Sequence, residues 1–141
     1  MKAEEFMHKP VLVATPRASV RDIATQLVIN EITGMPVMER NGAVVGVISE
    51  ADVLAAILDG KALETLTAAE IMSADPVTAD VDVSMEDVAR MLDEEGIVRV
   101  PVTQKGMLVG IISRRDVIRA KLEPEFSYVG AQSPALRREL S

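Results

Sequence analysis

Among the residues able to do chemistry, four Ser-x-x-Asp tetrapeptides stand out: Ser19–Asp22, Ser49–Asp52, Ser84–Asp87 and Ser113–Asp116. Ser followed by an acid three residues later marks a helix N-terminus. The hydroxyl accepts from a free backbone N–H, and the carboxylate suits the positive end of the helix dipole. Such a cap contributes about 0.5–2 kcal/mol and needs no ligand. Ser19/Asp22 and Ser84/Asp87 are read as plain caps. The other two follow directly on apolar runs, in Gly46-Val-Ile-Ser49 and Gly110-Ile-Ile-Ser113. The glycine allows a close backbone approach. A strand-to-helix junction aims unpaired amide N–H groups outward, which suits an anion such as phosphate. A carboxylate one turn on can accept two hydrogen bonds at once, and the vicinal hydroxyls of a ribose supply two donors. Phosphate near the Ser and ribose at the Asp make these two junctions candidate nucleotide sites.

Composition removes the rivals. There is no Cys, so disulfides, zinc fingers and thiol catalysis are absent. The single histidine, His8, offers no metal-ligand spacing and no relay, and it is expected on the surface. Aromatics make up 2% and Trp is missing, so no stacking platform for single-stranded bases exists. A net charge of −7 opposes binding to a nucleic acid backbone or an anionic membrane. No apolar stretch reaches the roughly 18 residues of a membrane span, and the N-terminus lacks a signal-peptide pattern. The expectation is a soluble, cytoplasmic protein that is not an enzyme.

The elements that carry the two junctions come in duplicate. A shift of 65 residues aligns 5–37 with 70–102 at ten identical positions, among them Met7/Met72, Ala14/Ala79, Ser19/Ser84 and Pro36/Pro101. A shift of 64 then matches Gly42, Val45, Gly46, Ile48, Ser49, Asp52 and Val53 with Gly106, Val109, Gly110, Ile112, Ser113, Asp116 and Val117. In each copy a short extended run (Val11–Ala14, Val77–Ala79) precedes a helix opened by Ser19 or Ser84. A strand around Pro36-Val37 or Pro101-Val102 then turns at Asn41-Gly42 or Lys105-Gly106. A return strand follows, and Ser49 or Ser113 caps the last helix. The predicted unit is β-α-β-β-α, so the fold class is mixed α/β (α+β). One such unit is too small to cover its own sheet. Two units packed sheet against sheet, related by a pseudo-two-fold axis, solve that problem. The units are placed at 1–60 and 67–122, with a connector at 59–66 and a capping box at Thr67–Glu70. Residues 123–141 form a tail in which Ser133-Pro134 suits the start of a short helix.

The doubled unit with its Gly-h-h-Ser-x-x-Asp ending, where h is aliphatic, resembles the CBS-domain family. Ile97-Val-Arg-Val-Pro101-Val, Ile32-Thr-Gly-Met-Pro36-Val and the lead-in Glu70-Ile-Met-Ser-Ala-Asp-Pro-Val77 carry the same resemblance, which spans roughly residues 5–120. It implies a stand-alone Bateman module: a CBS pair that binds AMP, ADP, ATP or a related adenosyl compound in clefts between the domains. Such a compound would be a regulatory ligand, with no catalytic cofactor. It also implies a homodimer of pairs and a separate effector protein. By the resemblance, one cleft uses Asp116 for ribose, Ser113 for ribose or phosphate, Arg99 for phosphate, and Val13, Ala14 and Thr15 beside the base, with Thr33 and Gly34 lining it; Arg114 is placed among its ligand-binding residues. The other uses Asp52 and Ser49, with Thr78, Ala79 and Asp80 near the base. The alternative is a structural homodimerisation module with degenerate clefts.

The two clefts are expected to differ. Between 99 and 121 stand Arg99, Lys105, Arg114, Arg115, Arg119 and Lys121 against Asp116 alone, a local charge of +5. Arg119 and Lys121 are read as solvated helix positions. The first cleft has Gly34 where Arg99 stands and Glu50 where Arg114 stands. The Asp116 cleft should therefore favour phosphate and bind more tightly, and the Asp52 cleft should bind weakly, stay empty or accept a less charged adenosine compound.

Overall fold

The computed structural model describes residues 1–122; the tail and its expected helix lie outside the described residues. Unit one contains α1 (Ala3–Phe6), α2 (Val20–Ile29), β1 (Gly34–Met38), β2 (Val44–Ser49) and α3 (Glu50–Leu58). A 3-10 turn at Leu63–Thr65 leads to α4 (Ala68–Ile71), β3 (Ser73–Ala74) and β4 (Ala79–Asp80). Unit two then continues with α5 (Met85–Glu94), β5 (Arg99–Gln104), β6 (Met107–Ser113) and α6 (Arg114–Leu122).

Each hairpin forms where turn chemistry demands it. Gly42 and Gly106 take φ of +91° and +78°, a region open to glycine at no steric cost. The Ala43 N–H donates to Asn41 Oδ1 at 2.9 Å, an Asx turn that fixes the first bend. The prolines are tolerated because each nitrogen faces the side where the neighbouring parallel run joins only afterwards, at Ala14 opposite Val37 and at Ala79 opposite Val102. The first extended runs shrink relative to expectation. In unit one only Ala14 bridges, parallel to Val37; in unit two the strand is the two residues of β4, parallel to β5.

Two apolar clusters form, one beneath each sheet. The first holds Val20, Leu27, Val37, Ile48 and Val53; the second holds Val88, Leu92, Val100, Val102 and Ile112. Period-2 alternation places Pro36 and Pro101 on the opposite strand faces, and both are fully buried. Each proline strand is thus covered on both sides, by helices beneath and by the facing unit above. Pro36 and Ile111 of the other unit share a cavity wall.

The short lead-in helices are exchanged between units. Ala3 belongs to the second cluster, and its N–H donates to the Val83 carbonyl at 2.8 Å. His8 pairs with Ile111 at the outer edge of β6 through two backbone bonds, 2.8 and 3.1 Å. Reciprocally, Ala68 packs in the first cluster and β3 pairs with β2. This explains the glycine of each Gly-h-h-Ser. A Cβ on Gly110 would stand 2.8 Å from Met7 Cγ, and one on Gly46 would stand 2.8 Å from Met72 Cγ. The close approach that these glycines permit is that of a methionine clasp, not of a ligand. Among the described residues no helix is long and apolar enough to cross a membrane.

Candidate functional site

The four Ser-x-x-Asp caps separate into two kinds. In Ser19/Asp22 and Ser84/Asp87 the serine Oγ accepts from the Asp N–H at 3.1 Å in each case. Asp87 turns its carboxylate to Arg90 at 2.6 Å. At the two junctions the carboxylate also reaches back. Ser49 N–H donates to Asp52 Oδ2 at 2.8 Å, and Ser113 N–H donates to Asp116 Oδ2 at 2.9 Å. One carboxylate oxygen is thereby used in the cap and the other is left over. Both serine Oγ atoms accept from the Asp N–H, at 3.4 Å for Asp52 and 3.2 Å for Asp116, and Ser49 Oγ also donates to Asp52 Oδ2 at 3.0 Å.

The Asp116 junction opens on a cavity of about 530 Å³. Its walls bring together Thr33 and Gly34 of unit one with Arg99, Ser113, Arg114 and Asp116 of unit two, all six anticipated from the sequence. Arg115 and Arg119 join them. Arg119, expected on a solvated face, is exposed and stands 3.5 Å from Asp116 Oδ1. Arg114 is partly committed, because its Nε donates to the Ile97 carbonyl at 2.8 Å and pins the helix start to the strand entry.

A neighbouring cavity of about 310 Å³ shares His8, Ile32, Gly34 and Ile111 with the first and continues to Pro10, Val11, Leu12, Asn30 and Pro36. Its walls are mostly apolar. None of Val13, Ala14 and Thr15 lines either cavity; the segment at the wall is Pro10–Leu12. Ala14 is buried, its N–H donates to the Pro36 carbonyl and its carbonyl accepts from Met38 N–H, so its backbone serves the link to β1. His8, expected on the surface, is exposed yet sits on the wall common to both cavities. Its involvement follows from the lead-in exchange, for which the sequence carries no signal.

Around Asp52 the residues are more dispersed. Ala79 is buried in the second cluster and bridges Val102, and Asp80 lies exposed beside it. A hydrogen bond with Asp82, and then the loss of hydration and the negative charge of Asp82, push the Asp80 carboxyl above its ordinary value. Glu50 stands at the entry of α3 where Arg114 stands at the entry of α6.

Arg99 joins the two regions. Its backbone pairs with Ser113 beside α6, while its guanidinium crosses to donate to Thr33 Oγ1. A Cβ on Gly34 would lie 2.6 Å from Arg99 Cζ. Burial lowers the Arg99 guanidinium from its ordinary value, and the negative fields of Glu50 and Asp52 oppose that shift.

Comparison with known proteins gives a consistent picture. The CBS domain model matches twice, at residues 3–59 and 68–123. The structure of CBSX2 of Arabidopsis thaliana in complex with AMP superposes with a TM-score of 0.78 at 32% identity, covering 88% of this chain and 98% of that one. The CBS domain pair of protein MJ0100 in complex with 5-methylthioadenosine and S-adenosyl-L-methionine gives 0.78 at 27%, covering 86% and 95%. Inosine-5'-monophosphate dehydrogenase of Methanocaldococcus jannaschii is 28% identical over 127 residues, 88% of this chain and 24% of that protein. Against this and two further curated relatives from the same organism, the chain spans 24%, 41% and 45% of their length.

Proposed function

The chain belongs to the CBS-domain family, and from that premise we propose that it is a regulatory module without catalysis, which holds an adenosine compound in the Asp116 cavity and signals to a separate protein. One observation carries this reading. Beyond its cap Asp116 presents Oδ1, 3.5 Å from the exposed Arg119, at a cavity whose wall sets Arg99, Arg114, Arg115 and Arg119 against Glu31 and Asp116. An acceptor for ribose hydroxyls beside a group of cations is what a nucleoside phosphate needs. The adjoining apolar cavity is suited to the base, with His8, Val11, Leu12 and Ile111 as its walls. AMP in the CBSX2 structure supports the same ligand class.

The Asp52 cleft is assigned a ligand of lower negative charge. It has Glu50 where the other cleft has Arg114. The MJ0100 pair, in complex with 5-methylthioadenosine and S-adenosyl-L-methionine, supports adenosyl compounds without phosphate as a ligand class for such a pair. The module acts by favouring one packing of its two units over another, which needs only a difference in ligand affinity between them. It self-associates through unit one, where Val28, Leu54 and Ile57 of α2 and α3 stand exposed around an apolar groove of about 410 Å³.

A thermal-shift series with AMP, ADP, ATP, adenosine and S-adenosylmethionine tests the reading. At 100 times Kd a ligand stabilises by about 2.7 kcal/mol. Asp116→Ala should abolish the shift of the phosphorylated ligands and Asp22→Ala should leave it intact. No shift with any of these compounds at millimolar concentration would end the sensor reading and leave a dimerisation module.

A further inference from the structure

We propose that Glu50 and Asp52 of unit one set the anion affinity of the Asp116 cavity in unit two by competing for the Arg99 guanidinium; this rests on the phosphate-bearing ligand assigned above. The route is visible in the backbone. Arg99 springs from the strand beside Ser113, at the start of α6. Its side chain leaves that helix and parks against unit one, on Thr33 and Gly34. Gly34 pairs with Ser49, and the Thr33 carbonyl accepts from the Glu50 N–H at 2.9 Å. The guanidinium therefore rests at the entrance of α3, within the field of Glu50 and Asp52, while still forming a wall of the Asp116 cavity.

Only the glycine makes this possible, since any side chain at 34 would occupy the place of the guanidinium. Copying Arg99 into position 34 would set two cations against each other. The asymmetry leaves one cation between two helix entrances, one acidic and one receptive to phosphate. A phosphate in the Asp116 cavity and the acids of unit one pull on the same guanidinium, so each weakens the hold of the other. A ligand without phosphate exerts no such pull. The acids of one copy thus act on the ligand preference of the other through a single side chain.

Isothermal titration of the full chain with AMP and with adenosine tests this, using Glu50→Gln alone and with Arg99→Gln. Glu50→Gln should tighten AMP by about two- to fivefold, the scale of one partly exposed charge pair, and leave adenosine unchanged. In the Arg99→Gln background the gain should vanish. If it persists there, Glu50 acts on the phosphate directly and the proposal is overturned. Equal effects on AMP and adenosine, or no effect of Glu50→Gln, overturn it too while leaving the ligand reading in place. Failure of wild type to bind AMP at all overturns both. Should Arg99→Gln not fold, Arg99→Lys keeps the charge on a narrower head and should shrink the Glu50→Gln gain.

Discussion

The Arg99 guanidinium lies on the bare backbone of Gly34, the residue that occupies Arg99's own position in the other copy. A contact between equivalent positions lies close to the axis relating the copies. Near-equivalent positions meet at the hairpins as well, where Leu108 N–H donates to the Gly42 carbonyl at 2.9 Å. These contacts and the exchanged lead-ins hold the units together. Gly34→Ala should destabilise the fold by about 1–3 kcal/mol, the usual cost of overpacking. The new methyl would press on the Arg99 head and on the Ile48 carbonyl, 2.9 Å away. Arg99→Ala should recover the first part and not the second. Urea melts of the two single variants and the double variant check this; strict additivity would mean that the residues do not meet.

Much of this arrangement can be read from the chain. The repeat, the hairpins at Gly42 and Gly106 and the four caps all rest on local chemistry, in which a side chain and its own backbone decide the outcome. The Asp116 cavity follows because its six anticipated residues sit at strand ends and helix starts, which the repeat places. What escapes is long-range. Met7 and Met72 stand at equivalent places, so the pattern is identical whether each lead-in covers its own sheet or the other one. The exchange brings His8 to the wall shared by both cavities and puts Pro10–Leu12, rather than Val13–Thr15, at the wall of the adjoining apolar one. The path of Arg99 is hidden for a similar reason, since it depends on an empty space at Gly34.

For the self-association proposed above, the two helix faces differ in a way that favours one arrangement. Unit one exposes Val28, Ile29, Leu54 and Ile57, while the equivalent positions of unit two are Asp93, Glu94, Ile118 and Lys121. Burying the first set against the second would strand charges against apolar surface, a costly pairing. Two unit-one faces together avoid that cost and suit a symmetric dimer. Light scattering should find a dimer for wild type and a monomer for Leu54→Glu. Ile118→Glu should remain largely dimeric. Equal dissociation of both variants would point to a head-to-tail arrangement instead.

Asp80 and Asp82 supply a test that depends on pH. The Asp80 carboxyl is raised above its ordinary value of 3.8, first through its hydrogen bond with Asp82. A raised acid binds its proton more tightly in the folded chain than in the unfolded one. Stability therefore grows as pH falls through the folded value and stops growing below the unfolded one. At neutral pH the ionised pair works against the fold. Asp80→Asn removes one charge and keeps a donor for Asp82, so it should raise Tm at pH 7. The advantage should shrink as pH falls and be gone below about pH 3.8. Asp82→Asn should give a similar gain, and the double variant little more, because one repulsion is removed only once. Melting curves across this range decide the matter: a gain that does not change with pH would trace the effect to packing rather than to the Asp80 proton.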